Sequence, residues 1–254
     1  MRLCSLVSLE GRVALITGAT GEGIGRSIAL TLARDGADVV LNYRSKHERA
    51  ARVEAAIEAM GRRVLAHMAD ITDPAAVEGM FAVARTVLGP VDILVNSAGG
   101  QWKPDDITDI EPAHFRRVIA SEIDAMFLLV RSALPSMRER GWGRIVSIGG
   151  YGAEEWRFGP PDAPVDYPLG KAARHWLTRT LAQLEQKHGI TINAVAPGPT
   201  RHVSLEEALA ALEGRPDVER NVPQDIAEVL SFLCSAAAVR VTGAVIPVPG
   251  ATDV

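Results

Sequence analysis

Tyr167 and Lys171 are four positions apart in the segment Tyr-Pro-Leu-Gly-Lys. Residues at this spacing share one face of a helix, so the ammonium group of Lys171 can lie near the phenol of Tyr167. The pKa of an unperturbed tyrosine is about 10, and a cation within a few ångströms lowers it by about 1–3 units. We therefore expect Tyr167 to give a proton to a developing alkoxide or to take one from an alcohol. The same pair on an isolated surface helix would be structural, so this expectation depends on the surrounding elements.

A glycine-rich segment at residues 17–25 directly follows the first apolar run and directly precedes a helical pattern. Its sequence is Thr-Gly-Ala-Thr-Gly-Glu-Gly-Ile-Gly. Glycines let the backbone turn tightly and approach a pyrophosphate, and the N-terminus of a helix presents free N–H groups and a positive dipole end. The segment therefore predicts a dinucleotide-binding loop. The alternative is a turn that only connects a strand to a helix.

The order of the secondary-structure patterns predicts the architecture that would position these residues. Seven short apolar runs are continuous rather than alternating, as in parallel strands that are covered on both faces. Helical patterns lie between them; one ends at Gly36, and another carries an apolar stripe that includes Leu169, Trp176 and Leu184. We predict an α/β fold, a doubly wound parallel seven-stranded sheet with helices on both faces and a ligand crevice where the strand order reverses. The predicted strands are residues 13–17, 38–43, 64–68, 93–96, 144–148, 191–195 and 244–248.

The composition is that of an ordinary globular protein. The chain has 254 residues, of which 47% are hydrophobic and 23% charged, and we expect residues 1–254 to form a single domain. The formal net charge of -4 gives no electrostatic footprint for nucleic acid or an anionic membrane. Cys4 and Cys234 are far apart, and the sequence shows no secretion signal or long uncharged apolar run, so we expect a cytoplasmic protein with free thiols. No spacing of histidines and carboxylates suggests a metal site.

Further segments complete a pattern that runs along the chain. Asp-Ile at 70–71 follows the third predicted strand, Asn-Ser-Ala-Gly at 96–99 ends the fourth, and Asn-Ala-Val-Ala-Pro-Gly occupies 193–198. Together with the glycine loop and the Tyr-x-x-x-Lys segment, these motifs resemble the short-chain dehydrogenase/reductase family over nearly the whole chain, and within it the 3-oxoacyl-(acyl-carrier-protein) reductases. The glycine loop carries one residue more between Gly18 and Gly23 than the family pattern.

The resemblance implies a Rossmann-type oxidoreductase that transfers a hydride between a nicotinamide dinucleotide and a ketone or secondary alcohol. Tyr167 would be the acid or base, and Lys171 would also hold the ribose hydroxyls of the cofactor. Asp70 would contact the adenine, and the segment 193–198 would close over the nicotinamide. The cofactor-binding residues that the resemblance implies are Gly18, Thr20, Gly23, Ile24, Tyr43, Arg44, Asp70, Ile71, Asn96, Ala98, Gly99, Tyr167, Lys171, Pro197 and Gly198.

Two positions depart from the family pattern. The family's serine at the end of the fifth strand, which orients the substrate carbonyl, aligns with Gly150; Ser147 lies earlier on the strand and is expected to face away. Tyr151 is one candidate to replace that hydroxyl. The family's asparagine that supports a proton-relay water aligns with Glu122. This third candidate catalytic residue would pair with Lys171 or act as a base itself, and the alternative is an ordinary helix residue paired with a neighbouring cation.

The residues at the end of the second predicted strand bear on the choice of cofactor. An acidic residue there would bind the ribose 2′-hydroxyl of NAD, whereas an arginine can hold the 2′-phosphate of NADP. This chain has Tyr43 and Arg44 and no acid at that place, which favours NADP(H) over NAD(H). Glu22 in the glycine loop opposes this preference if it faces the adenosine ribose.

Three functions remain open from the sequence. The first is an NADP(H)-dependent carbonyl reductase or alcohol dehydrogenase, with a β-ketoacyl thioester among its candidate substrates. The second is a non-redox enzyme of the same fold that uses Glu122 as acid or base, and the third is a dinucleotide-binding sensor or scaffold without turnover. The presence of both Tyr167 and Lys171 favours the first.

Two irregular segments would border the pocket, and two long helical patterns bear on association. We expect residues 149–166 to form a wall of the active site and residues 202–222 to cover it. The helical patterns at 112–138 and 167–188 resemble those through which the family forms a helix-bundle interface, and residues 241–253 resemble its second interface. We therefore expect a homotetramer, with a homodimer as the alternative.

Overall fold

A parallel sheet of seven strands in the order β3-β2-β1-β4-β5-β6-β7 forms the centre of the molecule. The structure is a computed structural model that describes residues 7–100, 103, 105–153, 164–214 and 220–250. All seven predicted strands are confirmed, and their ends differ from the prediction by at most two residues. The strands are β1 (Val13–Ile16), β2 (Asp38–Tyr43), β3 (Val64–Met68), β4 (Ile93–Asn96), β5 (Gly143–Ile148), β6 (Ile190–Pro197) and β7 (Val245–Val248).

Helices cover both faces of the sheet, so the predicted doubly wound α/β architecture is confirmed. The inner strands β1, β2, β4 and β5 are buried along their whole length, whereas the edge strands β3 and β7 are partly exposed. One apolar core joins α1, α2 and α8 to the sheet, and a second joins α3 and α5 to its other face. The helical elements are α1 (Ile24–Arg34), α2 (His47–Ala59), α3 (Pro74–Val87), α4 (Pro112–Ile119), a π-helical segment (Ala120–Asp124), α5 (Ala125–Arg140), α6 (Asp166–Glu185), α7 (Leu205–Ala210) and α8 (Pro223–Cys234).

The strand order reverses beside β1. Ile16 pairs with Leu41 of β2 on one side and with Val95 of β4 on the other, so the chain first builds the sheet outward to β3 and then returns across β1. The carboxyl ends of all the strands lie at the same edge because every pairing is parallel. In open α/β sheets this reversal opens a crevice for ligands at that edge.

The helical pattern predicted over 112–138 is not one regular helix, because a π-helical segment separates α4 from α5. Such segments hold one extra residue per turn and are frequent at functional sites. A buried arginine, Arg174 on α6, donates to the backbone carbonyls of Ser121 and Glu122 in this segment. An outside donor can therefore satisfy carbonyl groups of the widened turn, a contact that helical periodicity does not reveal.

The apolar stripe that predicts α6 faces outward. Leu169, Trp176 and Leu184 are 50%, 64% and 57% exposed. The inner face instead buries polar side chains, among them Lys171 and Arg174, because it packs against the strand ends and the π-helical segment. The position of α6 was thus predicted correctly, but its buried face could not be read from hydrophobicity.

The two irregular segments are only partly described. Residues 154–163 of the predicted wall lie outside the described residues, as do residues 215–219 of the predicted cover. Within the described part of the wall, Tyr151 to Ala153 form a turn. The cover contains α7, whose first turn is closed by a capping box between Ser204 and Glu207. Within the described ranges, no helix has both the length and the apolar character needed to cross a bilayer. The same part of the chain holds no cluster of His, Cys, Asp and Glu side chains that could bind a metal.

Candidate active site

The glycine loop after β1 is shaped by close backbone contacts. Gly18 has a φ of +66°, and a Cβ atom on it would come within 3.2 Å of Ala98 Cα. Gly25, in the first turn of α1, has room for no side chain, because a Cβ atom would lie 2.6 Å from the carbonyl oxygen of Gly18. Gly23 is the N-cap residue of α1, and no side chain accepts a hydrogen bond from the first N–H groups of the helix there. A Cβ atom on Gly23 would meet nothing within 4 Å. Open space thus lies beside Gly23 where the helix begins, which fits the pyrophosphate of a dinucleotide.

Thr17 joins this loop to the residues that follow β4. Its hydroxyl donates to the carbonyl of Val95 at 3.3 Å and accepts from the backbone N–H groups of Ser97 and Ala98, both at 3.0 Å. The side chain of Asn96 donates to Ser147 Oγ at 3.2 Å. The predicted cofactor residues Gly18, Ala98 and their neighbours therefore lie at one place in the crevice.

The ends of β2 and β3 form the rim next to the glycine loop. The hydroxyl of Tyr43 shares a 2.7 Å hydrogen bond with His47, and Arg44 beside it is exposed. Asp70 accepts hydrogen bonds from the backbone N–H and hydroxyl of Thr72, which hold the pKa of its carboxyl below the ordinary value, and the charge of Arg44 acts in the same direction. Arg44 and Asp70 are thus close enough to interact electrostatically at this rim.

The acidic residue of the glycine loop is already paired. Glu22 Oε1 lies 2.9 Å from an Nη atom of Arg49 on α2, so its charge is directed toward a cation. Its backbone carbonyl accepts from Val203 N at 3.0 Å, and Arg26 donates to the carbonyl of Val203. These contacts join the glycine loop to the segment that leads into α7.

The end of β6 lies between two loops. Pro197 is the last residue of the strand, and its carbonyl accepts from Tyr151 N at 3.0 Å. Gly198 N donates to Val248 O at 2.9 Å, and a Cβ atom on Gly198 would overlap the backbone of Pro249. The predicted residues Pro197 and Gly198 are therefore fixed at the crevice edge by the segments after β5 and β7.

Tyr167 and Lys171 come together on the first turns of α6. The Nζ atom of Lys171 lies 5.1 Å from the centroid of the Tyr167 ring, and it donates to the carbonyl of Ile148 at 3.2 Å. Tyr167 N donates to Asp166 Oδ1 at 2.7 Å, and the other carboxylate oxygen of Asp166 lies 3.5 Å from His114 Nε2 on α4. These contacts fix the start of the helix that carries both side chains.

The pKa of Tyr167 moves in the opposite direction from the sequence prediction. Burial, and to a lesser extent the negative charge of Glu122, raise it to about 12, and the charge of Arg174 only partly opposes them. The prediction of a lowered value was wrong because it considered Lys171 alone, whereas the phenolate would form in a desolvated place beside a carboxylate. Tyr167 is therefore protonated at neutral pH and suited to donate a proton.

Glu122 is fully buried at the centre of this cluster. Its Oε2 atom lies 3.2 Å from Lys171 Nζ and 2.7 Å from Arg174 Nε, and its Oε1 atom accepts from Gly100 N at 2.6 Å. Of the roles left open by the sequence, the structure shows the pairing with Lys171. The second cation, Arg174, was missed; its only signal was a basic residue three positions after Lys171, on the same side of the helix.

The position after β5 where the family resemblance predicts a hydroxyl is occupied by Gly150. A Cβ atom on Gly150 would lie 3.2 Å from Lys171 Cγ, so this position does face the lysine. Ser147 is buried and donates to Met126 Sδ at 3.7 Å, so it faces α5. Tyr151 is 46% exposed and remains a candidate for the missing hydroxyl.

Comparison with known proteins finds relatives along nearly the whole chain. Residues 18–250 match the family model described as enoyl-(acyl carrier protein) reductase. The chain is 31% identical over 249 residues to 3-oxoacyl-(acyl-carrier-protein) reductase FabG of Escherichia coli strain K12, covering 96% of this chain and 98% of that protein. It is 34% identical over 249 residues to 7alpha-hydroxysteroid dehydrogenase of the same strain, covering 95% and 94%. The crystal structure of a blue fluorescent protein from a metagenomic library in complex with NADPH aligns with a TM-score of 0.81 at 34% identity, covering 97% of this chain and 100% of that chain.

Proposed function

Because this chain belongs to the short-chain dehydrogenase/reductase family of oxidoreductases, we propose that it is an NADP(H)-dependent carbonyl reductase with Tyr167 as its proton donor. The reverse reaction, oxidation of a secondary alcohol, uses the same groups. The observation that carries the proposal is the placement of Tyr167 beside Lys171, whose ammonium lies 5.1 Å from the ring, at the sheet edge where the glycine loop opens.

The residues at the crevice support dinucleotide binding, and the nicotinamide would supply the hydride. Gly18, Gly23 and Ile24 would hold the pyrophosphate, because they form the turn and the start of α1. Tyr43 and Arg44 would face the adenosine ribose. An exposed Arg44 and a Glu22 that is paired with Arg49 favour the 2′-phosphate of NADP(H), and a structural neighbour was crystallised with NADPH.

In the proposed reaction, Tyr167 would give its proton to the carbonyl oxygen, the bound nicotinamide would supply the hydride for the carbonyl carbon, and the product would be the alcohol. The phenolate that results lies beside the ammonium of Lys171. The high pKa of Tyr167, about 12, keeps the phenol protonated at neutral pH and so favours reduction over oxidation. Glu122 would act through Lys171 rather than on the substrate, since its carboxylate is buried between two cations.

Relatives suggest substrates to test but do not select one. An acetoacetyl-CoA reductase and a 3-oxoacyl-(acyl-carrier-protein) reductase act on thioester ketones by name, whereas another relative is a hydroxysteroid dehydrogenase. We propose a ketone substrate, with β-ketoacyl thioesters as the first class to test. Since Gly150 supplies no hydroxyl, Tyr167 would be the main donor to the carbonyl oxygen.

Incubation of the purified protein with NADPH and a panel of ketones, including acetoacetyl-CoA, tests this function through loss of absorbance of the reduced nicotinamide. Tyr167→Phe keeps the ring but removes the ionisable hydroxyl, so turnover should fall about 10²–10⁴-fold while NADPH binding survives. Lys171→Ala should weaken NADPH binding as well. Full activity of Tyr167→Phe on the best ketone would rule out Tyr167 as the donor, and a protein that binds NADPH but reduces no ketone would favour the sensor alternative.

We also propose a cytoplasmic homotetramer. Large apolar side chains are exposed on α5 and α6, where Phe127 is 59% and Trp176 is 64% exposed, and a symmetric helix-bundle contact would cover them. Cys234 is a buried free thiol, which suits a reducing compartment.

A further inference from the structure

Arg174 is a buried cation whose hydrogen-bonding capacity is fully used by the backbone around Lys171. Its side chain is 1% exposed. Its Nε–H donates to the carbonyl of Glu122 at 3.1 Å, one Nη donates to Asn96 O and Ile148 O at 3.0 and 3.2 Å, and the other donates to Ala98 O and Ser121 O at 2.5 and 3.2 Å. The guanidinium group thereby joins the ends of β4 and β5 to the π-helical segment.

The same arginine balances the charge of Glu122. The carboxylate lies between Arg174 and Lys171, and without Arg174 it would keep only one cationic partner in a place that excludes water. Removing one partner of a buried ion pair is strongly destabilising, because an uncompensated charge remains. The orientation of Lys171 therefore depends on Glu122, and the position of Glu122 depends on Arg174.

Two glycines make room for this arrangement. A Cβ atom on Gly99 would overlap Glu122 Oε1, and a Cβ atom on Gly170 would lie 2.6 Å from both Cβ and Cγ of Glu122. The side chain of Glu122 thus fits only because Gly99 and Gly170 carry no side chains. Gly170 directly precedes Lys171 on α6, so the cavity for Glu122 and the position of Lys171 are set by the same turn of helix.

We propose that Arg174 is a positioning residue for the active site, which holds Glu122 in place and through it orients the ammonium group of Lys171. The relevance of this role to ketone reduction rests on the proposed function. The contacts themselves do not, so the first tests need no cofactor.

A double-mutant cycle tests the dependence between Arg174 and Glu122. Arg174→Met, Glu122→Gln and the double variant would be unfolded by denaturant at pH 7. We expect each single substitution to lower the free energy of unfolding. The double variant should lose less than the sum of the two single losses, because glutamine at position 122 leaves no carboxylate charge without its arginine. Losses that simply add would overturn the proposal. If Arg174→Met does not fold, recovery of folding in the double variant would support the dependence, and its absence together with a normally folded Arg174→Lys would contradict it.

The pH dependence of unfolding separates positioning from general packing. The charged and titratable groups around Lys171 are Glu122 of the π-helical segment and Arg174 and Tyr167 of α6. Burial and Arg174 lower the pKa of Lys171 to about 8, and Glu122 opposes them. The unfolded chain, with its ordinary lysine value, then binds more protons above pH 8, so stability attributable to this group rises with pH from about 8.

The two single variants should displace this rise in opposite directions. Arg174→Met raises the pKa of Lys171, so the rise starts at a higher pH; Glu122→Gln lowers it, so the rise starts at a lower pH. Unfolding measured between pH 7 and 9.5 in steps of half a unit would show both. Equal displacement in both variants, or none, would contradict the proposal.

A half-exposed ion pair serves as the matched control. Arg62 lies 2.9 Å from Glu10, remote from Lys171, so Arg62→Met and Glu10→Gln should follow the wild-type pH profile. Turnover gives a separate readout: the alkaline limb of the kcat/KM profile should move to higher pH in Arg174→Met and to lower pH in Glu122→Gln. A wild type without turnover would count against the proposed function alone, since the unfolding experiments would still decide the role of Arg174.

Discussion

His175 occupies the space that a side chain on Gly149 would need. A Cβ atom built on Gly149 would overlap the Nε2 atom of the imidazole, and Gly150 N donates to that same atom at 3.3 Å. The glycine pair at the end of β5 is therefore matched to a buried histidine one turn beyond Lys171. The backbone at this site is set by the side chain that α6 presents to it.

This contact predicts that Gly149→Ala is destabilising. The added methyl group must displace His175, and overpacking of a buried site costs about 1–3 kcal/mol. Denaturant unfolding of Gly149→Ala, His175→Ala and the double variant would measure this loss of stability. Gly149→Ala should cost less unfolding free energy in the His175→Ala background than in the wild type, because the imidazole is absent. Gly79→Ala is the control, because a Cβ there meets nothing within 4 Å and the residue is in α3, where alanine is the better helix former. Similar losses at both glycines would contradict the steric explanation.

Restoring a hydroxyl at Gly150 should increase ketone reduction. The Cβ atom of Gly150→Ser would lie 3.2 Å from Lys171 Cγ, so a shift of a few tenths of an ångström admits it. A second donor to the carbonyl oxygen should raise kcat/KM, whereas Gly150→Ala adds the same crowding without the donor. Steady-state kinetics on one ketone with both variants would distinguish the two effects. A loss of activity that is equal in both would show that the position tolerates no side chain.

The high pKa of Tyr167 predicts an asymmetric dependence on pH. A phenol with a pKa of about 12 stays protonated from pH 6 to 9, so ketone reduction should not decline there through loss of this proton. Alcohol oxidation needs the phenolate, and its kcat/KM should rise about tenfold per pH unit below pH 8, where Lys171 still carries its charge. Glu122→Gln removes a charge that raises the pKa of Tyr167, so the pH profile of oxidation should shift to lower pH. Initial rates with NADP+ and a secondary alcohol would test this, and a plateau near pH 7 would contradict it.

Arg44 should contribute to the preference for NADPH. Arg44→Ala is expected to weaken NADPH binding more than NADH binding, because only the former carries the 2′-phosphate. Titration by the fluorescence of the reduced cofactor would give both dissociation constants. Arg85→Ala, an exposed arginine on α3, serves as control and should change neither. Equal weakening of both cofactors by Arg44→Ala would remove Arg44 from the explanation.

The exposed apolar face of α6 predicts an effect of charge on assembly. Trp176→Glu should reduce the molar mass measured by light scattering, since a carboxylate in a helix-bundle interface would be desolvated. Val87→Glu, on α3, replaces a comparably exposed apolar residue and should leave the mass unchanged. A wild type that elutes as a monomer at every concentration would refute the proposed tetramer.

The fold could be predicted from the sequence because parallel strands that are buried on both faces, such as β1 and β4, are short and almost entirely apolar runs. The active site was only partly predictable. The spacing of Tyr167 and Lys171 indicated that they are neighbours, but a pKa depends on burial and on every nearby charge, and Arg174 is distant in sequence from Glu122. The outward face of α6 was missed because hydrophobic periodicity does not distinguish contact with the core from a surface that is free in one chain.

The number of residues in the π-helical segment affects the position of Glu122 in the site. It holds one residue more than an α-helical turn would. The helices on its two sides have separate packing partners, since α4 contacts α6 and α5 contacts α3, β4 and β5. A chain shortened by one residue within Ala120–Asp124 could run as a single regular helix, with α4 and α5 still attached to their neighbours. Residues on the two sides of the deletion would then change their helical register relative to each other, so Glu122 could not keep its contacts with Lys171 and Arg174 while α5 stays in place.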